Sequence, residues 1–294
     1  MIKIAEVIKS GRILVSDGAW GTLLHTMGLK VGECPESWCL SRATDIRAVA
    51  KAYADAGADM VGTNSFGANR FKLAHYGLSG KAAEINEASA RASRAGASPE
   101  RWVLGSMGST GKLLLYDDVT EEEIYDAYKE QAAALERGGA DAVCIETMTD
   151  MQEAALAVKA AKENTGLEVI CTFTFDRTAR GAYRTMMGVS PARAAVEMLA
   201  AGADVVGANC GCGMEQMVEI VQQMRAAAPD APILVHANAG LPETVDGIAV
   251  FPETPSDMAA MVPALIQAGA NIIGGCCGTT PAHIRAVKEA VRGM

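Results

Sequence analysis

Four times along the chain, a stretch of helical periodicity ends at a glycine and passes within a few residues into an apolar run. The four junctions are Ala56-Gly57-Ala58-Asp59, Gly138-Gly139-Ala140-Asp141, Ala201-Gly202-Ala203-Asp204 and Ala268-Gly269-Ala270-Asn271. A glycine that closes a helix, followed by a short turn into a strand, is the usual chemistry of an αβ connection. The runs launched this way finish in polar or sulfur-bearing residues: Thr63-Asn64-Ser65-Phe66, Glu146-Thr147-Met148, Asn209-Cys210 and Cys276-Cys277. Four further apolar runs, at 13–18, 102–106, 169–174 and 233–238, complete a set of eight. Helical patterns fill the gaps at 45–56, 81–95, 121–136, 151–163, 191–200, 215–227, 255–267 and 281–291. Ser190-Pro191 and Thr280-Pro281 are good helix starts, because proline's fixed φ suits the first turn. Eight strands alternating with eight helices predict an α/β chain folded as a single (β/α)8 TIM barrel over residues 1–294. An open doubly wound sheet shares the local signature, and the count of eight favours the barrel. No linker or low-complexity stretch marks a domain boundary.

Composition narrows the function classes. Of the 294 residues 50% are hydrophobic and 21% charged, enough for a large core. A formal net charge of -9 offers no attraction to nucleic acid or to an anionic membrane. No apolar run approaches the roughly 20 residues that span a bilayer. The opening Met1-Ile2-Lys3-Ile4-Ala5-Glu6 lacks the apolar core of a signal peptide. Eight cysteines in a chain this long do not form a secreted disulfide pattern. A reducing cytoplasm is the expected setting, and there thiols are free to bind metal.

In a barrel, chemistry gathers at the C-terminal ends of the strands. Cys210 ends strand six, and Cys276 with Cys277 ends strand eight. Adjacent residues on a regular strand point to opposite faces. Gly274, Gly275 and Gly278 permit the kinked backbone that would turn both sulfurs toward one target. Three thiolates with one open position suit zinc. Cys34, Cys39, Cys144, Cys171 and Cys212 read as small buried residues. Asp17 and Glu146 also stand at strand ends, and Glu146 follows the apolar Ala142-Val143-Cys144-Ile145. A carboxylate there is costly to desolvate unless it meets a cation or donors. Both suit a substrate ammonium, although Asp17 fits a turn or N-cap role equally well. His236 lies near the site and reads as structural, while His25, His75 and His283 lack a convergent partner.

Taken together, Asp17-Gly18-Ala19-Trp20-Gly21-Thr22, Gly62-Thr63-Asn64-Ser65-Phe66, Glu146-Thr147-Met148, Gly207-Ala208-Asn209-Cys210 and Gly274-Gly275-Cys276-Cys277-Gly278 resemble the homocysteine S-methyltransferase family. The resemblance covers roughly residues 10–290. It implies a zinc barrel that moves a methyl group to the thiol of homocysteine. Cys210, Cys276 and Cys277 would be the zinc ligands and catalytic centre, and Asp17 and Glu146 would contact the amino acid part of the substrate. Residues 105–111 and 235–240 are most similar to the barrel of the cobalamin-dependent methionine synthases, with Ser109-Thr110-Gly111 in place of their Pro-Thr-Gly. Asn238 matches an asparagine close to the metal in that group and joins the substrate-binding set. The implied donor is methylcobalamin or another corrinoid on a partner protein, because the chain ends just after the barrel. S-methylmethionine and betaine are the other donors in the family. A zinc- and thiol-binding regulatory barrel without turnover is the alternative of another class. A phosphate-binding barrel enzyme would want its glycine loop where the cysteine pair stands. The long segment 28–42 after strand one is expected to be a mobile or partner-contacting loop.

Overall fold

Eight parallel strands form the sheet: β1 (Leu14–Val15), β2 (Met60–Gly62), β3 (Trp102–Met107), β4 (Ala142–Met148), β5 (Glu168–Phe173), β6 (Val205–Asn209), β7 (Ile233–Ala237) and β8 (Ile272–Gly275). In the computed structural model, which describes residues 2–116, 118–245 and 248–294, they are ordered β1-β8-β7-β6-β5-β4-β3-β2. From β2 to β8 consecutive strands are neighbours, and the first meets the last, in keeping with the (β/α)8 reading. The outer ring is α1 (Ala43–Asp55), α2 (Ala82–Gly96), α3 (Glu121–Gly138), α4 (Met151–Asn164), α5 (Pro191–Ala201), α6 (Met214–Ala227), α7 (Pro255–Ala268) and α8 (Pro281–Arg292). Among the described residues no helix is long and apolar enough to cross a membrane.

Period-2 alternation divides each strand between two cores. Leu14, Met60, Leu104, Cys144, Ile170, Val205, Leu234 and Ile272 point inward and fill the barrel. Their neighbours Val15, Val61, Val103, Val143, Val206, Val235 and Ile273 point outward against the helices. A short helix, Ile4–Lys9, was not legible in the sequence, and its Ile4 and Ile8 plug the bottom of the barrel. Glu168 holds it there, accepting from the Ile4 and Ala5 N–H groups at 2.5 and 3.0 Å. A carboxylate at a helix N-terminus is favourably placed against the helix dipole. Two antiparallel hairpins, Asp176–Arg177 with Tyr183–Arg184 and Glu243–Val245 with Ile248–Val250, rise from the loops after β5 and β7.

The four glycine junctions are four copies of one clamp. Each glycine lies at positive φ, 99° at Gly57, 97° at Gly139, 107° at Gly202 and 110° at Gly269, a region open to glycine without strain. The acid or amide two residues later reaches back to the preceding strand. Val15, Val103, Val169 and Ile233 donate their N–H groups to Asp59, Asp141, Asp204 and Asn271 at 2.7–2.9 Å. The backbone N–H of the same acid or amide returns a bond to the carbonyl of that strand residue. A basic side chain then closes each clamp: Lys288 on Asp59, Arg94 on Asp141, Lys162 on Asp204 and Arg225 on Asn271. These four cations come from α8, α2, α4 and α6, so the repeating unit is two β-α pairs.

The first clamp carries more than the others, because β1 and β2 form no ladder of their own. Asp59 joins them at the bottom with Lys288 at 2.6 Å and Arg12 at 2.8 Å. Asp17 joins them at the top, accepting from Gly62 N–H at 2.7 Å. Removing one partner of a buried ion pair costs about 3–5 kcal/mol, whereas partly exposed pairs are worth about 1 kcal/mol or less. Asp59→Ala should therefore lose about 3–5 kcal/mol in urea unfolding. Asp204→Ala, whose Lys162 is half-exposed, should lose about 1–2 kcal/mol, mainly its bond to Val169. Equal losses at the two positions would mean that the seam is closed by something else.

Candidate metal and substrate site

The three cysteines singled out in the sequence converge. Beyond the end of β6, Cys210 takes φ +59°, a left-handed conformation rare for a residue with a side chain, and Gly211 follows at +73°. Cys210 N–H donates to His236 O at 2.9 Å, which locks the kink. Beyond β8, the N–H groups of Cys276 and Cys277 donate to Ala237 O at 2.6 Å and Asn238 Oδ1 at 3.1 Å. Thr279 closes that turn by donating its hydroxyl to Cys276 O at 2.7 Å, and it accepts from Ala19 N–H at 3.0 Å. The three Sγ atoms lie within 4.8 Å of one another, with Cys210 and Cys277 3.9 Å apart. Tetrahedral coordination with Zn–S bonds of about 2.3 Å spaces its sulfurs by about 3.8 Å. The donor set therefore fits a thiophilic cation with one position facing the cavity.

Electrostatics agree with that geometry. Hydrogen bonds from the Cys276 and Cys277 thiols, with help from Gly211 N–H and the Asn238 amide, hold the Cys210 thiol well below its ordinary range. Cys276 and Cys277 are pushed up by the same contacts, Cys277 to about 11. Three such thiols ionise together only when a cation compensates them. The other five cysteines are buried, and burial pushes their thiols up, Cys34 to about 11 and Cys39 and Cys212 to about 12. They remain unreactive packing groups, as expected of buried thiols.

The sulfurs form part of the lining of a cavity of about 410 Å³ that also includes Asp17, Glu146, Ser106 and His236. Asp17 Oδ2 accepts from Gly62 N–H at 2.7 Å and Trp20 Nε1–H at 2.9 Å. Its Oδ1 meets only the Ser16 hydroxyl at 3.4 Å, too long to satisfy it. Burial pushes this carboxyl up to about 6 against those bonds. Glu146 is aimed inward by a bulge in β4, where register shifts between Ile145 and Met148 and Thr147 sits at φ +60°. Asn209 holds the bulge: its Oδ1 accepts from Thr147 N–H at 2.8 Å and from the Thr172 hydroxyl at 2.7 Å, and its amide donates to Thr147 Oγ1 at 2.7 Å. Glu146 Oε1 accepts from the Ser106 hydroxyl. Burial pushes the Glu146 carboxyl up to about 7, the Ser106 bond lowers it, and the Asp17 charge raises it further.

Asn238 is buried behind the sulfurs rather than on the cavity wall, and its Oδ1 is committed to Cys277 N–H. His236 lines the cavity at 7% exposure, and burial pulls its imidazole down to about 4, so the ring is neutral. The segment 28–42 differs from the mobile loop expected of it. Cys34, Trp38 and Cys39 are buried, and Glu36 lines the cavity while accepting from Gly67 N–H at 2.7 Å. Only its first part stays free, with Val31 96% exposed. Ser106, Asn209, Thr172, Thr279 and Glu36 have no role assigned from the sequence; Asn209 and Thr279, on either side of the cysteine positions, carried a positional signal.

The sequence pattern of the homocysteine S-methyltransferase family matches residues 14–291. Methionine synthase from Mycobacterium tuberculosis is 34% identical over 302 aligned positions, covering 97% of this chain and 25% of that protein. Methionine synthase from Mycobacterium leprae is 34% identical over 298 positions, 95% of this chain and 24% of its own length. The chain thus spans about a quarter of the curated relatives it matches. The metallated homocysteine methyltransferase MmuM from Escherichia coli shares the fold, with a TM-score of 0.75, 23% identity and 97% and 98% of the two chains covered.

The raised Glu146 carboxyl makes a stability prediction of definite sign. It protonates near 7 in the fold and near 4.5 when unfolded, so its contribution is most favourable below 4.5. Stability is lost as pH rises from 4.5 to 7 and is level above that, by about 2–3 kcal/mol. Glutamine cannot titrate. Metal-free Glu146→Gln should thus be more stable than its parent by about 2 kcal/mol at pH 8 in urea unfolding, and nearly equal at pH 5. A less stable variant at pH 8 would show that the ionised carboxylate has a compensating partner within the fold.

Proposed function

Because this chain belongs to the homocysteine S-methyltransferase family, we propose that it transfers a methyl group to the thiol of homocysteine, giving methionine, at a zinc ion held by Cys210, Cys276 and Cys277. The observation that carries this reading is the convergence of three sulfurs within 4.8 Å on the same cavity as the carboxylates of Asp17 and Glu146. One ligand set suits a thiol and the other an ammonium, and homocysteine has both.

Zinc bound there would supply a lowered pKa for the homocysteine thiol, keeping its sulfur nucleophilic at neutral pH. The remaining work falls to the chain. Three cysteinate side chains concentrate negative charge at the open position. Asp17 Oδ1 and the Glu146 oxygen not bonded to Ser106 accept from the substrate ammonium, and that nearby positive charge favours their ionised forms. With the amino acid end held, the substrate sulfur is left directed at the incoming methyl carbon, which must approach to about 3–3.5 Å. Asn238 and Thr279 keep the cysteine turn rigid from behind.

The proposed donor is a methylated corrinoid carried by a separate protein. The likeness of residues 105–111 and 235–240 to the cobalamin-dependent barrels supports it, as do relatives named methionine synthase. Exposed Val31, Phe66, Met186, Met187 and Leu241 stand on loops that follow strand ends, and exposed apolar groups of this kind suit a protein partner.

Metal analysis should find about one zinc per chain, and Cys276→Ala with Cys277→Ala should remove it while the barrel stays folded. Full zinc occupancy in that double variant would sink the ligand assignment. A panel of donors then separates the readings. Transfer should be faster from a methylated corrinoid protein than from S-methylmethionine or betaine. Turnover near 1 s⁻¹ with S-methylmethionine alone would replace the donor and leave the site intact. Zinc and homocysteine binding without thioether formation from any donor would point to the regulatory alternative.

A further inference from the structure

Among the described residues, His236 is the only cavity-lining side chain with a buried polar atom, Nε2, that lacks a protein partner. Buried polar atoms are rarely left so, and those that are call for a ligand or a water. β7 sets its position. His236 pairs in register with Gly274 on β8, two residues before Cys276, and with Asn209 on β6, one before Cys210. A side chain at Gly274 would begin 2.8 Å from His236 Cδ2 and 2.8 Å from the Asp17 carbonyl oxygen. Glycine at 274 therefore leaves room for the imidazole between β8 and the Asp17 backbone. A side chain at Gly62 would begin 3.2 Å from Asp17 Oδ2, so that glycine keeps the space before the carboxylate clear as well.

The hydrogen-bond capacity around this space can be counted. Asp17 Oδ2 is taken by Gly62 and Trp20, and Glu146 Oε1 by Ser106. One oxygen of each carboxylate remains. A primary ammonium brings three N–H donors, one more than those two oxygens accept singly. The His236 imidazole on the wall of the same cavity has a lone pair to offer when its proton is on Nδ1.

Resting on the functional reading above, we infer that Asp17, Glu146 and His236 form a three-acceptor cradle for a primary ammonium, with His236 Nε2 taking the third N–H. The cradle makes this end of the site selective for an unmodified α-amino group. An N-methylated amino acid has only two N–H donors and leaves one acceptor unpaired, and a deaminated thiol engages none. His236 is then a specificity-determining residue, where the sequence suggested a packing one.

Calorimetric titration of the purified protein with L-homocysteine, N-methylhomocysteine and 4-mercaptobutanoate tests this without turnover. The parent should bind homocysteine at least about tenfold more tightly than the N-methyl compound, the scale of one hydrogen bond to a charged group. His236→Phe should lose about tenfold for homocysteine, leave 4-mercaptobutanoate unchanged and close the gap to N-methylhomocysteine. His236→Asn, which keeps an acceptor, should recover part of the loss, and it decides the matter with the parent if the phenylalanine variant fails to fold. Equal losses for homocysteine and 4-mercaptobutanoate would assign His236 to packing and overturn the cradle. So would a parent that binds the N-methyl compound as well as homocysteine. A parent that binds none of the three would refute the homocysteine reading itself, and the cradle with it.

Discussion

The barrel closes at a seam where its shortest strand pairs with β8 on one side and forms no ladder with β2 on the other. β1 contributes two residues, and the gap to β2 is bridged by two carboxylates, Asp59 below and Asp17 above. Asp59 is a purely structural acid, saturated by a backbone N–H and by Lys288 and Arg12. Asp17 is different, because only one of its oxygens serves the seam. The structural role of Asp17 is this seam bond rather than the turn or N-cap bond expected of it, and it leaves Oδ1 over. Fixing Oδ2 on Gly62 and Trp20 orients Oδ1 for whatever enters the cavity. Closure of the fold and preparation of the site are in this respect the same interaction.

Much of this was readable from local pattern. The eight strands and eight outer helices lie within about two residues of where periodicity and glycine punctuation place them, apart from β1, which shortens to Leu14–Val15. The glycine junctions were recognised as turns, but their role as clamps was not. Each clamp takes its cation from a helix remote in sequence, and Lys288 reaches Asp59 across 229 positions. The cysteines were legible because glycines flank them and strand counting brings their strands close. Ser106, Asn209 and Thr172 were not, because their function arises from register between neighbouring strands. Its length and its place after strand one suggested that segment 28–42 moves or meets a partner. Trp38 and Cys39 buried in the core, with Glu36 hooked to Gly67, hold it as a wall instead.

Among the described residues, the two non-glycine residues with positive φ, Thr147 and Cys210, stand at the ends of β4 and β6. Each turns a chemically important side chain, Glu146 or Cys210 itself, out of the direction a regular strand would give it. Such conformations cost about 1–3 kcal/mol each and persist only when neighbours over-determine them. Asn209 supplies that constraint for Thr147, and the bond from Cys210 N–H to His236 O supplies it for Cys210. The Asn209 side chain holds Thr147 from two directions, and its backbone leads directly into the Cys210 kink. The carboxylate side of the cavity is therefore braced by a buried asparagine side chain and the sulfur side by the backbone of β7.

The electrostatic arrangement follows the same logic of tolerated cost. Two carboxyls are raised by burial, three thiols crowd within 4.8 Å, and a neutral histidine is left with an unpaired nitrogen. None of these stabilises the unliganded fold, and the clamps and cores must offset them. Each becomes favourable with a partner of one kind: a thiophilic cation at the sulfurs, an ammonium at the carboxylates, an N–H donor at the imidazole. A homocysteine zwitterion bound by its sulfur brings the last two together. The site is costly in the places where this ligand would relieve it, and that correspondence is a stronger argument for the substrate than any one residue in it.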